Sequence, residues 1–190
     1  MVVPQAQAAV AKEVLLKYRQ NKQYQIMKTS SFFCFILFST IGFSQNDISK
    51  LLQKYNSESI PYISIETLQE DKSNIIFLDA REEKEFQVSH LKNAIHVGYD
   101  SFNMDSVSKK LTNKNSKIVV YCSLGIRSED IGEKLKKAGY KNVYNLYGGI
   151  FEFKNQNLSI YNSKGNTTDS IHAYSKTWGK WLKNGIKIYD

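Results

Sequence analysis

The sequence predicts an α/β protein: a mostly parallel five-stranded sheet with helices on both faces. Two observations carry this. Ile75-Ile-Phe-Leu-Asp79 and Lys117-Ile-Val-Val-Tyr121 are continuous apolar runs, without the alternation of a strand that has one wet face. Strand-like and helix-like segments also alternate along the chain, an order that favours crossover connections and parallel pairing. The sequence has no internal repeats.

In chain order, Ile48, Leu51, Leu52 and Tyr55 recur at helical spacing, so 45–59 reads as an amino-terminal helical segment. Tyr62–Ile65 is a short strand and Ile65–Glu70 a helical turn. The first buried strand, Ile75–Asp79, ends in a carboxylate. Glu82–Val88 reads as helix, Ala94–Val97 as strand and Ser106–Leu111 as helix, before the second buried strand, Lys117–Tyr121. Over Ser128–Ala138, Ile131, Leu135 and Ala138 share a helix face. Glu129 and Asp130 suit that helix's amino end, and Gly139 stops it. Val143–Leu146 is the last strand, and Gly148-Gly149 opens a last helix toward Phe153. In the tail, 157–190, Trp178, Trp181 and Leu182 have helical spacing. A helix packed back on the domain is expected there, with Tyr161 and Tyr174 helping, and a lid or partner surface near the active loop is the alternative. His172, Trp178 and Trp181 are read as packing residues.

With 190 residues, the chain can form one ordinary domain plus extensions. Its net charge of +8 divides evenly. Residues 1–44 hold Lys12, Lys17, Arg19, Lys22 and Lys28 against Glu13, so the remainder also carries +4. Such a spread surplus suits a small anionic substrate, but on its own it more often means a solvated basic surface. No basic run is interleaved with aromatics, which argues against nucleic acid as a partner.

Met27–Gln45 has the pattern of a secretory signal. Lys28 precedes the apolar stretch Phe32–Phe38, and Gly42 and Ser44 place small residues before a cleavage at Gln45. A bilayer span needs about 20 apolar residues, more than this run offers. The expectation is therefore a signal at 27–44, an exported and periplasmic protein, and no stable membrane span after cleavage. A retained amino-terminal anchor is the alternative. Residues 1–26 are expected to be an upstream extension, with Met27 as the initiator.

The two cysteines, Cys34 and Cys122, are too few for a disulfide scaffold. Removing the signal leaves Cys122 as the single thiol. A lone cysteine is often a small buried hydrophobe, but the place of Cys122 argues for chemistry. It directly follows a buried strand, where α/β sheets bind ligands. The loop Cys122-Ser123-Leu124-Gly125-Ile126-Arg127 then leads into the helix starting near Ser128. Unpaired N–H groups at that helix start favour an anion and lower the pKa of an adjacent thiol. Gly125 lets the loop curl, and Arg127 adds a cation able to hold an oxyanion in bidentate fashion. His90, His96 and His172, with one mature cysteine, do not make a metal site, and no cofactor is expected.

These residues and their surroundings resemble the rhodanese family. The resemblance runs through Phe77-Leu-Asp-Ala-Arg81, Glu85-Phe86, Ser89-His90-Leu91-Lys-Asn-Ala94-Ile95, Val120–Ser128, Leu135–Tyr140 and Val143–Ile150. Ser89 and Asn93 depart from it, standing where the family often has glycine. The resemblance implies a rhodanese domain over 60–156 and a sulfurtransferase acting through a Cys122 persulfide. The donor would be a small sulfur anion such as thiosulfate, and the acceptor a thiol or cyanide. Ser123, Leu124, Gly125, Ile126, Arg127 and Ser128 would form the anion-binding loop. Asp79 and Arg81 would support it, with a plain structural ion pair the preferred reading of those two. His90 would satisfy loop backbone groups. A monomer or weak dimer is expected. Cysteine-dependent phosphatases and arsenate reductases place one more residue between their Cys and Arg than the four found here, which disfavours that alternative. A non-catalytic module on the same fold is the other.

Overall fold

In the computed structural model, which describes residues 48–71 and 73–190, the continuous apolar run Lys117–Tyr121 becomes the centre of a sheet. The expected signal at 27–44 and the stretch 1–26 lie outside the described residues. The chain divides into two compact units, Met1–Lys50 and Leu51–Asp190. Of the first, residues 48–50 are helical. The second carries everything that follows, beginning with helical residues 51–55.

Five strands form the main sheet: β1 (Tyr62–Ile63), β2 (Ile75–Asp79), β3 (Ile95–His96), β4 (Lys117–Tyr121) and β5 (Asn142–Leu146). Their order is β1-β5-β4-β2-β3, and every pairing is parallel. Ile118, Val119, Val120 and Tyr121 are fully buried, so β4 is covered on both faces, which is why its sequence does not alternate. The helices between the strands are α1 (Ile65–Glu70), α2 (Glu83–Val88), α3 (Met104–Lys110), α4 (Arg127–Lys137) and α5 (Gly149–Asn155). Ile131 and Leu135 of α4 join Leu78, Ile118, Val120, Tyr140 and Val143 in the core. Each such side chain contributes about 1.5–3 kcal/mol by leaving water. Element boundaries move by a residue or two from those expected, and β3 shrinks to Ile95–His96.

The tail departs from expectation. Instead of one helix through Trp178, Trp181 and Leu182, it holds β6 (Ile160–Tyr161) and β7 (Thr167–Thr168), then β8 (Ser170–His172), a four-residue α6 (Lys176–Gly179) and β9 (Ile186–Ile188). A hairpin joins β6 to β7, its turn tied by the Asn162 side chain accepting from the Lys164 and Asn166 N–H groups. β8 and β9 pair in parallel. Gly185, at φ +135°, lets the chain turn back so that Ile186 can donate to the Asp169 carbonyl. Strand pairing satisfies the backbone that a longer helix would otherwise have satisfied, while Leu182 stays buried. β8 packs on α2. Among the described residues, no helix is long and apolar enough to cross a membrane.

Candidate active site

The strand order reverses between β2 and β4. From β2 the chain moves outward to β3; from β4 it moves the other way, to β5. Loops after two such strands diverge and leave a crevice beyond their carboxyl ends. Cys122 follows β4 at this crevice, and α2, reached from β2, brings Glu85 against its loop.

The loop keeps its shape because its carbonyls are taken up elsewhere. Ile150 N–H donates to the Cys122 carbonyl at 2.9 Å and Phe151 N–H to that of Ser123 at 3.1 Å. The Gly125 carbonyl accepts from Asn145 Nδ2 at 2.7 Å and Asn56 Nδ2 at 2.8 Å. With those carbonyls turned away, the Gly125 N–H reaches Cys122 Sγ at 3.1 Å. Gly125 holds φ +108°, which a side chain would disfavour. Gly149 is bound by space as well: a Cβ there would lie 2.3 Å from the Cys122 carbonyl oxygen. Helix α4 begins at Arg127 with no side-chain cap, leaving its first N–H groups to the loop. Ser128 Oγ lies 3.6 Å from Sγ and donates to Asn145 Oδ1 at 2.7 Å.

Arg127 is paired with Glu85 on α2. Nη1 and Nη2 bond the two carboxylate oxygens at 2.7 and 2.8 Å, and Nη2 also meets Ser123 Oγ at 3.2 Å. Ser123 Oγ in turn donates to Glu85 at 3.2 Å. Glu85 is fully buried and also accepts the Glu82 N–H that opens α2. Burial opposes its charge, but Arg127, and Arg81 more distantly, hold it below the usual carboxylate range. For Cys122, burial likewise raises the pKa. The Arg127 charge, the Ser128 side chain and N–H, and the Gly125 N–H outweigh it, so the thiol lies below its ordinary value. That is a thiol biased toward the nucleophilic thiolate.

Cys122 is only 2% exposed, yet it lines a cavity of about 180 Å³ with Ser123, Leu124, Ile126, Arg127, Tyr174 and Trp178. Of the loop residues singled out from sequence, Ser123, Leu124, Ile126 and Arg127 thus line the cavity with Cys122, while Gly125 and Ser128 meet the sulfur itself. Asp79 and Arg81 form a fully buried ion pair at 2.6 Å, with Arg81 also donating to the Ser89 carbonyl at 2.6 Å. The pair lies beside Tyr121, the residue before Cys122. His90 stacks on Phe86 and contacts the Leu91 carbonyl through Nδ1. Four participants escape a reading of the sequence. Glu85 stands out there only as part of a Glu-Phe pair, and Asn145 gives no local signal. Tyr174 and Trp178 have the look of packing residues, whereas both line the cavity.

Residues 64–156 match the family model described as rhodanese-like domain. A tRNA uridine(34) hydroxylase of Photorhabdus laumondii is 40% identical over 86 residues, 44% of this chain and 24% of that protein. Another, of Hamiltonella defensa, is 41% identical over 81 residues, 41% of this chain and 23% of that protein. The chain thus spans about a quarter of the length of these curated relatives. Among solved structures, a Bacillus halodurans protein aligns with TM-score 0.50 and 23% identity, over 62% of this chain and 88% of its own. A thiosulfate sulfurtransferase of Pseudomonas aeruginosa aligns with TM-score 0.51 and 20% identity, over 73% of this chain and 26% of its own. At these identities the two structures show likeness of fold.

Proposed function

We propose that this chain, whose residues 64–156 are a rhodanese-like domain, transfers sulfane sulfur through a persulfide on Cys122. The carrying observation is the lowered thiol held by the Gly125 N–H at 3.1 Å, in a loop whose carbonyls face elsewhere. In the first step the Cys122 thiolate attacks the outer sulfur of a donor such as thiosulfate. A new S–S bond forms, the donor's S–S bond breaks, and sulfite leaves with the electron pair. In the second step a thiol or cyanide attacks the terminal persulfide sulfur, and the Cys122 thiolate leaves. This is covalent catalysis by an activated nucleophile. The loop N–H groups would hold the persulfide's negative charge. Arg127, engaged by Glu85, would fix the loop and lower the thiol.

The protein incubated with thiosulfate and cyanide should form thiocyanate, and Cys122→Ser should form none. Thiosulfate alone should add one sulfur atom to the intact mass of wild type. A wild-type protein that neither gains sulfur nor forms thiocyanate overturns the reading. A phosphatase would instead release phosphate from an aryl phosphate, and a binding module would turn over nothing. The name of the relatives supports a second reading, a part in hydroxylating uridine of tRNA. Mass analysis of tRNA nucleosides after incubation would separate it from sulfur transfer. We also propose export, for which the support is the charged and apolar pattern of residues 27–44.

A further inference from the structure

One wall of the Cys122 cavity comes from outside the rhodanese-like segment. Tyr174 and Trp178 lie beyond residue 156, in the tail, and both line the cavity beside Leu124, Ile126 and Arg127. The tail is shaped to present them. Tyr174 adopts φ +63°, a left-handed backbone that bulky side chains avoid. It is held there by its N–H on His172 Nδ1 at 3.2 Å and by the Ser175 N–H on the Ala173 carbonyl at 2.7 Å. Its ring then lies 5.3 Å from the Arg127 guanidinium. Trp178 is set by the Ser175 cap on its N–H and by an edge contact with Tyr55, ring centres 5.7 Å apart.

Charge and size then select an occupant. Arg127 is the charged residue in this lining, and Glu85 already engages it through both terminal nitrogens. A small dianion such as thiosulfate would have to compete with Glu85 for the Arg127 N–H groups, and would leave Leu124, Ile126, Tyr174 and Trp178 uncovered. An anion of single charge with an apolar body satisfies both conditions: its sulfur end reaches Cys122 and its carbon group covers Tyr174 and Trp178. Space allows a single ring, since an apolar cavity of about 150 Å³ takes up benzene and this one measures about 180 Å³.

We infer that the preferred donor is a small organic anion carrying a terminal sulfane sulfur on a ring-sized apolar group, as in an aryl thiosulfonate, and that Tyr174 and Trp178 set this specificity. The inference rests on the sulfur-transfer reading of Cys122. In the step, the Cys122 thiolate bonds to the terminal sulfur, the sulfur–sulfonyl bond breaks, and an aryl sulfinate leaves with the electron pair. No oxidant or reductant is needed.

The test compares kcat/KM for benzenethiosulfonate and thiosulfate, with cyanide as acceptor. Wild type should favour benzenethiosulfonate, and Trp178→Ala should lower that ratio roughly tenfold, mainly through KM for the aromatic donor. Trp178→Phe should restore the ratio to within about threefold. Binding of benzenesulfonate, which has no sulfur to give, should weaken likewise in Trp178→Ala and Tyr174→Ala by calorimetry. A wild-type ratio at or below unity, or a ratio unmoved in Trp178→Ala, overturns the inference. No turnover with either donor overturns the sulfur-transfer reading instead, and benzenesulfonate binding then still reports on the aromatic wall.

Discussion

At Cys122, burial and charge act on one sulfur in opposite directions, and charge prevails through Arg127, Ser128 and Gly125. In the Cys34→Ser background, iodoacetamide should therefore alkylate Cys122 with a pH midpoint below the ordinary thiol value of about 8.5. Arg127→Met should move that midpoint up and slow alkylation at neutral pH several-fold; an unmoved midpoint would mean the cation does not govern the thiol. A folded-state pKa below the unfolded one gives stability that is fully present above the unfolded thiol pKa and lost as pH falls through the folded one. Wild type should accordingly lose urea stability relative to Cys122→Ser as pH is lowered through that midpoint. Cys122 and its loop were legible in the sequence because nucleophile, glycine, arginine and helix start follow one another. Glu85 was not, since it lies 42 residues from Arg127 and only the reversal of strand order brings the two together.

Among the elements, α5 acts as a clamp on the loop. Its first N–H groups take the Cys122 and Ser123 carbonyls, which requires the backbone of Gly149 to pass against them. Gly149→Ala would put a methyl group 2.3 Å from the Cys122 carbonyl oxygen and 2.7 Å from Ser123 backbone atoms, at a φ of +57° that alanine disfavours. Loop or helix must then move, costing about 2 kcal/mol by urea titration and lowering persulfide formation more than tenfold, with the sheet's circular dichroism retained. Gly139→Ala is the matched control. It also has positive φ, but its Cβ would meet nothing within 4 Å, so it should leave sulfur loading near wild type. Helix α4 could be read from the spacing of its apolar residues, and strands β2 and β4 from their unbroken apolar runs. The tail could not, because Trp178, Trp181 and Leu182 keep helical spacing while the helix stops at Gly179 and the chain turns toward β9, which pairs with β8.

At the scale of the folded unit, the tail supports the site indirectly as well as walling it. α2 has six residues, too few to hold a helix unaided. It carries Glu85, and β8 packs against it. Asp190 adds an ion pair with Lys84 of α2 and a contact with His172 of β8 at 3.1 Å. Both are exposed to water at Asp190, so apolar packing stabilises the arrangement more than these charges do. Ile160, Ile171 and Leu182 of the tail are 0%, 0% and 1% exposed. Removing them from the structure forfeits about 4.5–9 kcal/mol at about 1.5–3 kcal/mol per side chain, comparable to a domain's whole net stability of about 5–15 kcal/mol. A chain ending at Gln156, the last residue matched by the family model, should therefore be marginally folded. Its urea midpoint should drop steeply, and Cys122 should be alkylated faster with a midpoint nearer the ordinary thiol value, because α2 no longer fixes Glu85 and with it Arg127. A truncated chain keeping both the full-length urea midpoint and the lowered thiol would show instead that the sheet alone holds α2 in place, and that the tail contributes only its aromatic wall.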